Sequence, residues 1–310
     1  MKKRAGKEKG KKMAKKINNI AKKAKKHKTN KLAKHAGREE QIKTQRKPFL
    51  RITKIKQKAK GEAKNHVKTG IDGLDALFDK GIPEGNSVLV AGGAGSGKTI
   101  MCLQMMANKA KEGHKCVYMT FEEREDRLIE HMENFGWDAK EMIKKGKLKI
   151  VRMNPFDITR NVDAMLAKEK GELLIEVDPV IIPKNFNPDF IVIDSLTAIA
   201  SAFTQREESY RIYIEQLFRF LEKLGATSFL ITETKEIPEI FSASGVEEFL
   251  ADGVIVLYNI KRGDIRESAV EILKMRGEKH QKKIVAMQIT SSGIVIYPEQ
   301  EVFGGIGTES

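Results

Sequence analysis

The stretch from residue 87 to residue 99, SVLVAGGAGSGKT, decides the fold of this chain. Its last eight residues match the pattern G-x-x-x-x-G-K-[S/T] at every position, between an apolar strand-like run and a predicted helix. They are Gly92, Gly93, Ala94, Gly95, Ser96, Gly97, Lys98 and Thr99. Glycines let the backbone wrap a phosphate group with its N–H groups pointing inward, and the helix N-terminus adds positive potential. The stretch therefore predicts a phosphate-binding loop that binds a nucleotide.

Three residues in and near this loop predict a site for ATP and Mg²⁺. Lys98 is expected to reach the β- and γ-phosphates, and the Thr99 hydroxyl is expected to bind Mg²⁺. We also include the following residue, Ile100, among the nucleotide-binding positions. Asp194 ends the apolar run FIVI at residues 190–193, so its carboxylate is placed at a strand end. Such an acid can simply cap a helix, but beside a phosphate loop a role in the Mg²⁺ shell is favoured.

The residue that orients the attacking water is less evident from the sequence. Many P-loop ATPases place a glutamate directly after the metal-binding aspartate, whereas this chain has Ser195 there. Glu122 and Glu123 follow another predicted strand, and two carboxylates facing a phosphate site can polarise water. Position alone does not separate this role from two solvated acids that open a helix.

The pattern around the loop alternates strands and helices, which predicts a mostly parallel sheet covered on both faces. Predicted strands cover residues 87–91, 115–121, 147–153, 190–194 and 229–232. Predicted helices cover residues 98–111, 124–135 and 209–224. After residue 250, strands at 253–259, 267–276, 286–290 and 293–297 are joined by turn signals at 261–264 and 291–293. We therefore predict an α/β fold that ends in an antiparallel extension of the sheet.

Charge divides the chain into two parts. Residues 1–70 hold 27 Lys and Arg against 4 Asp and Glu, which leaves 30 of the 57 basic and 38 of the 42 acidic residues for the rest. We predict a lysine-rich, disordered tail at 1–65, with a transient helix around residues 13–24, and a folded domain at 66–310 that begins near Lys68. Such a basic tail is typical of a segment that meets nucleic acid or another polyanion.

The composition also bears on the compartment. No run approaches the roughly 20 apolar residues that a membrane span needs, and no secretory signal is visible. Cys102 and Cys116 lack metal-ligand spacing and suit reduced thiols. We expect a cytoplasmic protein without a membrane span.

Seven short motifs occur in an order and spacing similar to those of the KaiC-family ATPases. They are the phosphate loop, Phe121-Glu122-Glu123, Phe135-Gly136-Trp137, Ile193-Asp194-Ser195, Thr232-Glu233, Gly245-Val246-Glu247-Glu248-Phe249 and Lys274-Met275-Arg276-Gly277. The resemblance runs from about Val67 to Pro298 and covers none of the tail. It implies a RecA-type core, ATP hydrolysis, and a homo-oligomer in which six subunits form a ring with ATP between neighbours. A single such domain resembles the archaeal members of the family.

The resemblance also assigns roles to individual residues. Glu122 and Glu123 match the family's catalytic carboxylates. Lys274 and Arg276 match residues that act on the nucleotide of the neighbouring subunit, and His280 matches a nearby nucleotide contact. Lys274 and Arg276 are two apart on a predicted strand, so both side chains are expected on one face.

The chain departs from the family pattern at two places. KaiC has two such domains, and its second domain phosphorylates adjacent Ser and Thr residues. Glu248 and Phe249 stand at the matching place here, so autokinase activity is not expected. Ser291 replaces an acidic family residue near the nucleotide base.

Two rival functions remain at this point. One is a recombinase paralogue of RecA type that acts on DNA, which the basic tail and the shared core favour. Against it, residues 235–249 carry four glutamates and one lysine where recombinases keep a DNA-contacting loop. The other rival is a nucleotide-gated adaptor that binds ATP with little turnover.

Overall fold

The computed structural model describes residues 65–302 except 170–178, 181, 184, 236–239, 243 and 263. Three features used above lie outside these residues. They are the predicted tail helix near residues 13–24, the turn residue Gly263, and the glutamates Glu236 and Glu239.

A nine-stranded sheet forms the centre of the fold, in the order β11-β10-β9-β8-β3-β7-β6-β4-β5. Its strands are β3 (Ser87–Gly92), β4 (Cys116–Thr120), β5 (Leu148–Arg152), β6 (Phe190–Asp194), β7 (Thr227–Glu233), β8 (Gly253–Arg262), β9 (Ile265–Met275), β10 (Val285–Thr290) and β11 (Gly293–Glu301). β1 (His66–Val67) and β2 (Ile82–Pro83) pair separately. The six strands from β8 to β5 are parallel, and β9, β10 and β11 continue the sheet antiparallel. The predicted parallel sheet with an antiparallel C-terminal extension is confirmed.

Helices cover both faces of this sheet, as the alternating pattern predicted. They are α1 (Lys98–Lys111), α2 (Glu125–Asn134), α3 (Ala139–Lys144), α4 (Pro155–Glu169), α5 (Leu196–Ser201), α6 (Glu207–Leu224) and the short α7 (Glu247–Leu250), with a 3-10 turn at Asp75–Leu77. Side chains of β3 alternate between two apolar clusters. Val88 and Val90 belong to the cluster that contains α1, α2 and α3, and Leu89 belongs to the one that contains α5 and α6.

The parallel arrangement decides where functional side chains can meet. β3, β7, β6 and β4 are neighbours, and their carboxyl ends lie along one edge of the sheet. The phosphate loop follows β3, Asp194 ends β6, and Glu122 follows β4. All three are therefore brought to the same edge of the sheet, although up to 102 residues separate them in the sequence.

Candidate nucleotide-binding site

The phosphate loop joins β3 to α1 and is held open by glycines at its two ends. Gly97 has a φ of 94°, a left-handed conformation that strains any residue with a side chain. A Cβ on Gly92 would come within 2.5 Å of the Leu257 carbonyl oxygen and the Ser96 Oγ, so only glycine fits there. Ser96 is buried, and its Oγ has no hydrogen-bond partner within the part of the chain that the structure describes. The loop is therefore shaped by backbone constraints that a side chain would violate.

Lys98 folds back over the loop, where its Nζ donates to the carbonyl oxygen of Gly93 at 2.9 Å. Burial lowers the pKa of this amine, and the negative charges of Glu233, Asp194 and Glu122 oppose that shift, in that order. The predicted phosphate-binding lysine is thus held in the loop among carboxylates that favour its charged form. Ile100, two residues further, lies in the first turn of α1 and packs against the core as a half-buried side chain.

Thr99 and Asp194, the two predicted metal ligands, are in contact. The Thr99 hydroxyl donates to Oδ2 of Asp194 at 3.0 Å, and the Tyr118 hydroxyl donates to the same oxygen at 2.6 Å. Burial raises the pKa of Asp194 to about 6, and the charge of Glu122 adds to this, while the hydrogen bonds from Tyr118 and Thr99 and the charge of Lys98 oppose it.

This oxygen pair fits Mg²⁺, which prefers a few protein oxygens and fills the rest of its shell with water and substrate phosphates. The described residues contain no group of three or more His, Cys, Asp or Glu side chains placed to hold an ion by themselves. Thr99 and Asp194 therefore offer part of a shell that a bound phosphate would complete.

Glu122 and Glu123 leave β4 together but have different partners. The Thr120 hydroxyl accepts from both of their backbone N–H groups, at 3.3 and 3.0 Å. The Oε1 of Glu122 accepts a hydrogen bond from Ser195, on the side of the site that holds Asp194. Glu123 forms an ion pair with Arg127 on α2, with 3.3 Å between Nε and Oε2.

Lys274 and Arg276 lie away from the phosphate loop of their own chain. Lys274 pairs with Val254, and the backbone N–H of Arg276 donates to Asp252, whereas Gly92 pairs with Leu257 further along β8. Three strand residues span about 10 Å, so the two cations lie towards the opposite edge of the sheet from the loop.

Lys274, in β9, and Arg276, which directly follows the end of β9, both contact the end of α7. Lys274 Nζ donates to the carbonyl oxygens of Glu248 and Ala251 at 2.9 and 2.6 Å. The Arg276 guanidinium donates to the carbonyl oxygens of Phe249 and Leu250 at 2.6 and 3.3 Å. Burial and then the charge of Arg276 lower the pKa of Lys274.

His280 follows Arg276 by four residues in the sequence. It forms an isolated antiparallel bridge with Phe78. Both of its ring nitrogens are buried, and neither has a hydrogen-bond partner among the residues that the structure describes.

Comparisons with known proteins decide the family. The family model described as "ATPase: KaiC" matches residues 67–301, which is most of the chain. The chain belongs to the KaiC family of ATPases. The predicted extent of the resemblance, from about residue 67 to residue 298, is confirmed.

Individual KaiC-family relatives give the same result. The circadian clock protein KaiC3 of Synechocystis is 34% identical over 233 residues, which cover 75% of this chain and 45% of that protein. The circadian clock oscillator protein KaiC of Synechococcus elongatus is 32% identical over 240 residues, which cover 75% of this chain and 44% of that protein. The chain thus spans less than half the length of these curated relatives.

A solved KaiC-like structure supports the fold. The KaiC-like protein of the hyperthermophilic archaeon Pyrococcus horikoshii OT3 is 34% identical, with a TM-score of 0.62, and the match covers 76% of this chain and all of that one. None of the helices that the structure describes is long and apolar enough to cross a bilayer.

The contacts of three residues at the site were not predicted from the sequence. They are Tyr118, Ser195 as a partner of Glu122, and Glu233 as the carboxylate whose charge most favours the charged form of Lys98. Tyr118 lies within a predicted strand, and only the pairing of β4 with β6 brings its hydroxyl to Asp194. A cavity of about 400 Å³ also opens beside the loop, lined by Gly93, Ala94, Thr234, Asn259 and Arg266.

Proposed function

We propose that this KaiC-family chain binds Mg²⁺ and ATP and hydrolyses ATP. The observation that carries the proposal is the contact of Thr99 with Asp194 at 3.0 Å, next to Lys98 in the phosphate loop. A hydroxyl and a carboxylate at this place are the oxygens that P-loop enzymes use for their metal. A phosphate loop without such a pair would bind nucleotide without the means to hold its metal.

The chain's own residues account for the steps of the reaction. Backbone N–H groups of the loop bind the phosphates, and Lys98 exchanges its bond to Gly93 for the β- and γ-phosphate oxygens. Glu122 and Glu123 act as the catalytic carboxylates. Glu122 lies on the side of the site that holds Asp194, and it accepts a hydrogen bond from the attacking water. Bound Mg²⁺, held by Thr99 and Asp194, would neutralise charge on the phosphate oxygens.

We further propose that the active form is a ring, with six subunits as the family resemblance implies. Lys274, Arg276 and His280 would then contact the nucleotide of a neighbour. The place of Lys274 and Arg276 near the amino end of β8 supports this role, because a contact with the chain's own phosphate loop would require side chains to cross about 10 Å of sheet. Two cations there suit the charge of a transferring phosphoryl group.

The basic tail is proposed to recruit a polyanion, with nucleic acid as the first candidate. Its support is compositional, since residues 1–70 hold 27 basic and 4 acidic residues, while the domain that follows is mildly acidic. Recruitment and ATP turnover would then reside in different parts of the chain.

The experiment measures ATP turnover by the full chain with Mg²⁺ and with a chelator, in the presence and absence of RNA and DNA. We expect Mg²⁺-dependent turnover, and we expect Lys98→Ala to abolish it or to weaken ATP binding severely. Glu122→Gln or Glu123→Gln should retain ATP binding and slow turnover. Binding without turnover would favour the adaptor, and turnover that requires DNA would favour the recombinase.

A further inference from the structure

Ser195 and Glu122 meet because β4 and β6 run side by side. Thr120 pairs with Asp194, and the backbone N–H of Phe121 donates to the carbonyl oxygen of Asp194 at 2.6 Å. Just past the last paired residues of β4 and β6, the Ser195 hydroxyl donates to Oε1 of Glu122. Ser195 is 1% exposed, so solvent does not compete for this hydrogen bond.

A second hydrogen bond fixes the direction of the Ser195 proton. The backbone N–H of Ala198 donates to the Ser195 Oγ at 3.1 Å, which makes Ser195 the N-cap of α5. A hydroxyl has one proton and two lone pairs, so an Oγ that accepts from Ala198 keeps its proton for Glu122. The hydroxyl is therefore held from both sides.

Ser195 contacts the carboxylate that faces the phosphate loop. The charge of Glu122 acts on both Lys98 and Asp194, which places it among the groups around the loop. Glu123 is instead paired with Arg127 on α2. A hydrogen bond to one oxygen of Glu122 leaves its other oxygen to accept from a water molecule.

We propose that Ser195 is a positioning residue that orients Glu122 towards the attacking water. This inference rests on the proposed ATP hydrolysis. It gives a function to the position directly after the metal-binding Asp194, where a glutamate would otherwise stand. The water-orienting acid comes from the neighbouring strand, and the serine holds that acid in place.

The test compares kcat and KM for ATP in the full chain for Ser195→Ala, Ser195→Thr, Glu122→Gln and the double variant. We expect Ser195→Ala to lower kcat by roughly tenfold to a hundredfold, the range of a hydrogen bond to a charged group, with KM within about twofold. Ser195→Thr keeps the hydroxyl and should restore kcat. In the Glu122→Gln background, Ser195→Ala should cause no further loss, because the residue through which it acts is already altered.

Two further variants separate positioning from helix capping. Ser195→Gly also lacks the hydroxyl, but glycine at an N-cap costs much less stability than alanine does, so this variant should lose kcat like Ser195→Ala even if the alanine variant folds poorly. Ser201→Ala removes a hydroxyl from the same helix, one that donates to Ala198, and should leave kcat unchanged.

Several results would overturn the proposal. One is a kcat for both Ser195→Ala and Ser195→Gly equal to that of the unaltered chain, which would leave ATP hydrolysis itself standing. Another is a multiplicative loss in the double variant, or a loss that Ser195→Thr does not restore. An unaltered chain without Mg²⁺-dependent turnover would overturn the proposed function, and this inference with it.

Discussion

Asp194 is a single buried carboxylate that lowers the stability of the folded chain when it is ionised. It is 5% exposed, and burial raises its pKa from 3.8 to about 6. Between these two pH values the folded chain binds more protons at Asp194 than the unfolded chain does. Stability from this residue is therefore present at low pH and is lost as the pH rises to about 6. At neutral pH the buried carboxylate lowers the stability of the fold, a cost that the proposed Mg²⁺ site would require.

The corresponding prediction is that Asp194→Asn stabilises the metal-free protein. An amide of the same shape can still accept from Tyr118 but carries no charge. A shift from 3.8 to about 6 corresponds to at most about 3 kcal/mol, since one pKa unit is about 1.4 kcal/mol. The free energy of unfolding, measured by denaturant at pH 8, should rise in the variant, while Mg²⁺-dependent ATP binding should be lost.

The pH series supplies the control for this prediction. The gain should shrink as the pH falls from 6 towards 4, because Asp194 is then neutral in the folded state without substitution. A variant that is equally folded but less stable than the parent at pH 8 would contradict the assigned cost.

At the residue level, the sequence predicted the groups that a motif defines and missed those that only folding brings near. Thr99 and Asp194 were identified because phosphate loops use these residue types at these places, and they are in contact. Tyr118 belongs to none of the motifs, and the motif Ile193-Asp194-Ser195 does not tell which side chain Ser195 contacts. Their roles depend on β4 lying beside β6, a pairing between segments about 70 residues apart that local pattern does not give.

At the level of elements, strands and long amphipathic helices were predicted well. The helix predicted at 98–111 has those bounds, and the helix predicted at 209–224 is observed as α6, with Ile214, Leu217 and Leu221 buried on one face. α4 was missed, although Asn154 caps its first turn and Pro155 opens it. Ile158 and Val162 of α4 are buried one turn apart. Both residues are β-branched, which lowers helix propensity, so the sequence of α4 indicates a helix less strongly than the sequences of the predicted helices do.

A buried carboxylate connects α6 with α7 and gives the prediction at this scale. Glu247 is fully buried; its Oε1 accepts from the Tyr210 hydroxyl at 2.6 Å, and its Oε2 accepts from the Ser244 hydroxyl at 2.7 Å. Removing the Tyr210 hydroxyl leaves a buried charge with fewer donors. We expect Tyr210→Phe to lower the free energy of unfolding by about 1–3 kcal/mol.

The same helix offers a matched control. Tyr213 is also fully buried, but its hydroxyl has no hydrogen-bond partner in the described part of the chain. Tyr213→Phe should therefore be neutral or slightly stabilising, since it removes an unsatisfied polar group. Denaturant unfolding of both variants checks this, and equal losses would show that the bond to Glu247 does not set the cost.

For the whole molecule, the separation of Lys274 and Arg276 from their own phosphate loop predicts a site shared between subunits. In a ring, each interface would pair the loop of one subunit with the cations of the next. A mixture of Lys98→Ala and Arg276→Ala subunits should then recover activity, because some interfaces pair an intact loop with an intact arginine. At equal mixing this is roughly a quarter of the interfaces in a cyclic arrangement.

The control mixture joins Lys98→Ala with Glu122→Gln subunits. Both changes damage the same side of the interface, so no pairing restores a site and turnover should stay at the level of the single variants. Proven subunit exchange without recovery in the first mixture would indicate an arginine that acts within its own chain. A monomer in every nucleotide state would contradict the ring.

The charge division of the whole chain gives the last prediction, which concerns the basic tail. Residues 1–65 contain a single Phe, Tyr or Trp, Phe49, so base stacking contributes little and binding to nucleic acid should be electrostatic and independent of sequence. The affinity should then fall steeply with salt, with a log–log slope of about −0.7 to −0.9 for each phosphate neutralised. Binding of RNA and DNA by the full chain and by a chain that starts at Lys64 is measured across a salt series. We expect only the full chain to bind, because the domain that follows is mildly acidic. Equal binding by both chains would move the site into the KaiC-type domain and favour the recombinase, and no binding by either at low salt would assign the tail another partner.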